Sequence, residues 1–308
     1  MEREAPGPPG DQLQEVYALL DEEVIENLNS GPLFASAEFL EERLEGFSDV
    51  WGGSVFRVLK LPGTLTVASF QLTPGGHGNS VRTYVRNGGR FELGRAVYGS
   101  GTPMLFKLPP TRSGAGQFFL AWVGSPSGRG SSALRVELLR QEGGAVRLAW
   151  STADLFPGEL LATGFRVQGE GVTIRYELNY PGWKPGCEGQ TEEEDLYQYV
   201  AARDRVTLAR RRTINGWHRE LHSGAVSPLF HALAAGNQLA LAQLVPDPAV
   251  RARLPRRLLP DQACDASDGP DSSHAVVAAL APEERRVWDL RFGQRGSGWR
   301  LVAASPLP

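Results

Sequence analysis

Two histidines and a carboxylate stand within five residues of one another in "WHRELH", residues 217–222. On a strand, where alternate side chains share a face, His218, Glu220 and His222 would form a two-histidine, one-carboxylate set able to ligate a metal. On a helix only His218 and His222 align, and Glu220 turns away. The order is not that of the zinc proteases, which place glutamate beside the first histidine. No third histidine or cysteine lies nearby, so the expectation is a hydrogen-bonded linker with no metal and no cofactor.

A second concentration of chemistry is "NYPGWKPGCEGQTEEEDLYQY", residues 179–199. It gathers Tyr180, Trp183, Cys187 and the acidic run Glu192, Glu193, Glu194 and Asp195. One reading is an acidic–aromatic recognition loop. The plainer one folds the aromatics back on a sheet edge and leaves the carboxylates in solvent. The Asp-x-Asp-x-Asp-Gly spacing that wraps calcium is missing. The two cysteines, Cys187 and Cys264, both fall in polar, turn-rich segments. That setting is natural for one disulfide in an exported protein, with two free thiols as the alternative. Such a bond would tie the acidic loop to the C-terminal region, with Tyr180 and Trp183 packed at the junction and Glu192–Asp195 exposed.

Other chemistries find less support. There is no Gly-x-Ser-x-Gly elbow, phosphate-binding loop or dinucleotide fingerprint. The 308 residues are 41% apolar and 22% charged, ordinary values for a globular chain, and the formal net charge is −3. That charge argues against a nucleic-acid partner, despite the arginines at 210–212 and 251–257. The preference for arginine over lysine suggests a GC-rich bacterial genome. No run of about 18 apolar residues offers a membrane span. The start, "MEREAPGPPG", is charged and then Pro/Gly-rich, without an apolar signal segment. We read residues 1–10 as a flexible tether of the mature form of an exported protein, periplasmic or at the cell surface, with Met1 in place of a signal or lipid anchor. A cytoplasmic location is the alternative.

The elements that must position these groups fall into three stretches. In residues 11–50, Leu13, Val16, Tyr17, Leu20, Val24 and Leu28 recur at helical spacing, and a second helix follows Ser36 as N-cap. In residues 51–217 the pattern has period two and reads as three successive sets of four strands. Leu93, Leu148 and Leu208 occupy equivalent places in the last hairpins and are expected to be buried. Residues 54–213 resemble the blades of bacterial β-propellers, in which an aromatic, a turn and an x-Phe-x-Leu step recur. Three blades are fewer than the about four or more that close a ring, so either the repeat is incomplete or the units form an open stack or a sandwich.

In residues 218–308 helices come first, with Ser227 and Pro228 at one start and Asp247 and Pro248 at another, and strands follow. On "ALAAGNQLALAQLV" and "WDLRFGQRGSGWRLVA" this stretch resembles the SnoaL-like, ketosteroid-isomerase-like cone fold. The resemblance implies an acid–base carboxylate and an oxyanion donor, usually tyrosine. No tyrosine follows Tyr199, and the pocket candidates reduce to His231 and Asp289. The fold class expected is therefore mainly β with α+β: four-stranded antiparallel meanders, then a small helices-then-sheet domain. The function expected is non-catalytic binding or scaffolding, with another protein as partner. The alternative is a small-molecule-binding, hydrolytic or isomerase-type enzyme with its pocket in the last domain.

Overall fold

The computed structural model describes residues 10–51, 54–72, 77–127, 130–269, 272–296 and 298–308. The tether expected over residues 1–10 lies, apart from Gly10, outside them. The described chain is mainly β, with several antiparallel sheets, fewer helices and no closed barrel. It divides into two compact units. The first comprises residues 1–174 and 196–210, the second 175–195 and 211–308.

Unit one begins with helices α1 (Asp11–Asn29) and α2 (Ala37–Trp51). The Ser36 hydroxyl caps α2 by accepting from the Phe39 amide at 3.1 Å. Four strands follow in a meander: β1 (Val55–Lys60), β2 (Leu65–Gln71), β3 (His77–Asn87) and β4 (Arg90–Ser100). The apolar stripe of the helices (Tyr17, Leu20, Val24, Leu28, Leu40 and Leu44) meets Phe56, Phe70 and Tyr84 on one face of this sheet. The other face supplies Val67, Val81 and Val97 to a second core with Phe118, Leu120, Trp122 and Leu139. These last residues belong to β6 (Gln117–Pro126) and β7 (Ser132–Glu142), which with β5 (Thr102–Lys107) and β8 (Ala145–Ser151) make the second meander. Helices, sheet and sheet thus stack in three layers, which explains why β2 is buried on both faces rather than alternating.

The third meander is β9 (Leu161–Gln168), β10 (Gly171–Glu177), β11 (Glu192–Val200) and β12 (Arg205–Ile214). It is not a separate blade. β9 pairs with β7 through Ser132–Ala162 and Ala133–Leu161, so the second and third meanders form one eight-stranded sheet. Leu93, Leu148 and Leu208 do occupy like strands, the outermost of each meander, but they are 40%, 46% and 46% exposed rather than buried. An outermost strand is covered from one side only. In the first two meanders the register also slips beside the leucine, between Thr83 and Tyr84 and between Leu138 and Leu139 of the partner strands, as a β-bulge does. The inward-facing partners of the repeat are Tyr84, Leu138 and Tyr199.

A buried ion pair ties α1 to the first sheet. Arg82 donates to Asp21 at 2.6 Å, and Tyr84 donates to the other Asp21 oxygen at 2.7 Å. The guanidinium lies 4.6 Å from the Tyr17 ring centre and donates to the Tyr98 hydroxyl at 3.0 Å. A buried pair broken on one side leaves an uncompensated charge. Asp21→Ala should therefore lower stability by about 3–5 kcal/mol in urea unfolding, and adding Arg82→Met should recover part of the loss.

Unit two contains a helix in three segments: α3 (Gly216–Leu221), a π turn (His222–Val226) and α4 (Ser227–Ala234). Short helices α5 (Gln238–Leu244) and α6 (Pro248–Arg251) follow, capped by Asn237 and Asp247 side chains. Ser227 does not cap, contrary to the expectation from its Pro228 neighbour, because the helix arrives already formed. Pro228 has no N–H for the carbonyl four residues back and its ring crowds that carbonyl. The helix widens into a π turn just before it, as such interruptions do. The sheet runs β13 (Leu259–Pro260), β15 (His274–Ala281), β16 (Arg286–Arg295), β17 (Gly298–Pro306), with β14 (Ala266–Ser267) also on β15. Its inner face (Val277, Ala279, Trp288, Leu290, Phe292, Leu301) packs on Trp217, Leu221, Val226 and Leu229 of the helix.

Candidate functional site

The "WHRELH" segment is helical, so the strand reading of the histidines falls. His218 and His222 sit one turn apart on one face, with rings stacked at 4.6 Å and 28°. Glu220 is exposed and takes no part, as helical spacing requires. The carboxylate that joins the histidines is Asp265, from the loop after Cys264. Its Oδ2 lies 3.0 Å from His218 Nε2 and 2.5 Å from His222 Nε2. Its Oδ1 accepts from Lys184 Nζ at 2.8 Å, and Lys184 donates as well to the Ala263 carbonyl. The side chains of His218, His222 and Asp265 are 4%, 4% and 1% exposed.

The loop over residues 178–191 is built to deliver Lys184 and Tyr180 to this point. Pro181 and Pro185 keep it out of regular structure, and Gln190 holds its shape. The Gln190 side chain accepts from the Lys184 amide at 2.6 Å and donates to the Lys184 and Cys187 carbonyls. The Tyr180 hydroxyl accepts from the Thr191 amide at 2.9 Å and lies 2.7 Å from His218 Nδ1. Thr191 in turn binds the helix start, donating to the Asn215 carbonyl at 2.7 Å and accepting from the Arg219 amide at 3.0 Å. Gly182 has a φ of +93°, and a Cβ there would fall 2.0 Å from His222 Nδ1. Only glycine allows both the turn and that approach. The Cys187–Cys264 disulfide is formed, with a Cα–Cα distance of 5.4 Å, and closes the loop onto the residue preceding Asp265.

Proton positions follow from this geometry. Burial disfavours a charged Asp265, but bonds from His218, His222 and Lys184 together outweigh it and hold the carboxyl well below the usual carboxylate range. An ionised carboxylate only accepts, so both Nε2 atoms carry hydrogen. Burial lowers the His218 pKa against the opposing effect of its Asp265 bond. His218 is then neutral, and its Nδ1 accepts from Tyr180.

The acidic run is not left in solvent. Residues 192–195 lie at the start of β11 and are held by cations from neighbouring strands. Arg211 donates to both Asp195 oxygens at 2.8 Å, and Asp195 is fully buried. Tyr176 donates to Glu193 at 2.9 Å, Arg175 pairs with Glu192, and Arg212 lies 3.3 Å from Glu194. Trp183 is half-buried, and its indole N–H has no partner. His231 is exposed and bonds the Ser227 carbonyl of its own helix. Asp289 sits on the sheet face opposite Trp288 and Leu290. Neither pocket candidate joins the cluster.

Sequence reasoning found Tyr180, His218, His222 and both cysteines, and missed Lys184 and Asp265. The signal lay in the cysteines: once Cys187 and Cys264 are paired, Lys184 and Asp265 come within reach of one another. Among the described residues, the ligating atoms of His218, His222 and Asp265 lie within 4.8 Å of one another, the donor set of a borderline divalent ion. No protein-family model matches this chain, and no curated protein matches its sequence.

Stability should fall in acid. His218 has a depressed pKa, so below imidazole's ordinary 6.5 the unfolded chain takes up a proton that the folded one resists. Asp265, also depressed, adds a further loss below the ordinary carboxyl value of 3.8. Urea midpoints measured in chelating buffer should drop between about pH 7 and pH 5, and His218→Gln should flatten that slope.

Proposed function

We propose that this chain is a non-catalytic binding or scaffold protein, bacterial and working outside the cytoplasm, with another protein as its partner. The observation that carries the reading is the filled interior of unit two. A small-molecule site needs an open concavity with a few convergent polar groups. Here the inner sheet face is taken up by Trp288, Leu290, Phe292, Trp299 and Leu301 packed against the helix. The two polar residues that an isomerase-type pocket would have used, His231 and Asp289, face away from that core.

Location rests on the disulfide. Such bonds persist in oxidising compartments and are rare in the reducing cytosol. Cys264 is exposed, so a cytosolic thiol pool would have ready access to the bond. Among the described residues no helix is long and apolar enough to cross a membrane. Apolar side chains exposed to meet such a partner include Leu148 and Leu208, on the outermost strands of their meanders. The acidic–aromatic loop is a weaker candidate, because its carboxylates and Tyr180 are engaged within unit two.

Complementation of a deletion strain tests this. The double variant His231→Ala, Asp289→Ala should restore function fully, whereas Leu148→Glu with Leu208→Glu should fail while folding normally. Loss of function in the first with retention in the second would favour the enzyme alternative. In intact cells a membrane-impermeant maleimide should label Cys187 and Cys264 only after reduction.

A further inference from the structure

We infer that His218, His222 and Asp265 form a binding site for one divalent transition ion, with Zn²⁺ the best fit. Two imidazole nitrogens and one carboxylate oxygen are the donors that zinc, cobalt and nickel prefer; calcium and magnesium want oxygen alone. The geometry is close to what such an ion needs. Zinc–ligand bonds of about 2.0–2.2 Å put neighbouring donors of a tetrahedral set about 3.3 Å apart. The His218–Asp265 contact is already 3.0 Å and the His222–Asp265 contact 2.5 Å. The two histidine–carboxylate spacings need to open by less than about 1 Å, and all three donor atoms lie within 4.8 Å of one another.

The surroundings orient the donors as outer-sphere groups do around bound metals. His218 is held from behind by Tyr180, which Thr191 fixes. Asp265 is held by Lys184 on its remote oxygen, leaving Oδ2 for the histidines. Binding releases no proton from a neutral imidazole: the hydrogen leaves Nε2 for the ion and returns at Nδ1. On His218 the Nδ1–H then donates to the Tyr180 oxygen, and the tyrosine hydrogen turns away. All three side chains are almost wholly buried, and three protein donors leave a tetrahedral ion one further position for a water. The sequence alone argued against a metal because no third histidine or cysteine lies near the pair; Asp265, 43 residues from His222, supplies a third donor.

Lys184 gives the site a signature of its own. Its ammonium lies on the other oxygen of the same carboxylate and repels a second cation. Removing that charge while keeping a donor should tighten binding.

The test uses the full chain, stripped with a chelator and titrated with Zn²⁺ by calorimetry, with bound metal counted by elemental analysis. The expected result is one tightly held ion per chain and a higher melting temperature. His222→Gln and Asp265→Asn should lose it, and Lys184→Gln should bind about tenfold more tightly. Co²⁺ in place of Zn²⁺ should give the intense visible absorption of a low-coordinate nitrogen–oxygen site in the unmutated protein, a readout independent of whether variants fold. No ion retained at micromolar zinc would overturn the inference. So would retention unchanged in His222→Gln, or a Co²⁺ spectrum matching the aqueous ion.

Discussion

A single carboxylate organises unit two. Asp265 is almost wholly withdrawn from water, yet it stays ionised because Lys184, His218 and His222 all point hydrogens at it. A buried charge is tolerated only when paired and hydrogen-bonded. That requirement dictates where three separate pieces of chain must lie: the loop carrying Lys184, the helix carrying the histidines, and the segment after Cys264. The disulfide makes the same connection covalently, one residue away. In the chain-entropy description a link across 77 residues is worth about 3–5 kcal/mol. It shortens the search for the ionic contact, while the ionic contact fixes the geometry that the covalent bond alone leaves loose.

Unit one solves a similar problem with different residues. Asp21 on α1 reaches Arg82 and Tyr84 in the first sheet, and Arg82 is held against the rings of Tyr17 and Tyr98. In both units a buried carboxylate ties a helix to other parts of its unit: Asp21 of α1 to Arg82 and Tyr84, and Asp265 to His218 and His222. The apolar burial is the larger driving force, but it is non-directional. The buried polar contacts choose one packing among many, because a shifted helix would strand a charge.

This division explains what could be read from the sequence. The meanders and helices follow from hydrophobic period, and that is local information, visible in "TLTVASFQL" or in the spacing of Tyr17, Leu20 and Val24. The Cys187–Cys264 bond was legible from composition and setting. Burial at sheet borders was not: Leu93, Leu148 and Leu208 have the right phase but lie on outermost strands. Nor were the partners of the acidic run, because Arg211 and Arg212 reach residues 193–195 only through strand pairing. Asp265 was invisible for the same reason. It sits in a polar loop 43 residues from His222, and nothing local distinguishes it from the neighbouring Asp261 or Asp268.

The buried carboxylate is what holds unit two in one packing. The most direct measurement is equilibrium unfolding of Asp265→Ala with the disulfide intact, in chelating buffer. Deleting one side of a buried pair strands Lys184, and the expected loss is about 3–5 kcal/mol. A change within about 0.5 kcal/mol, the range of ordinary surface substitutions, would contradict it.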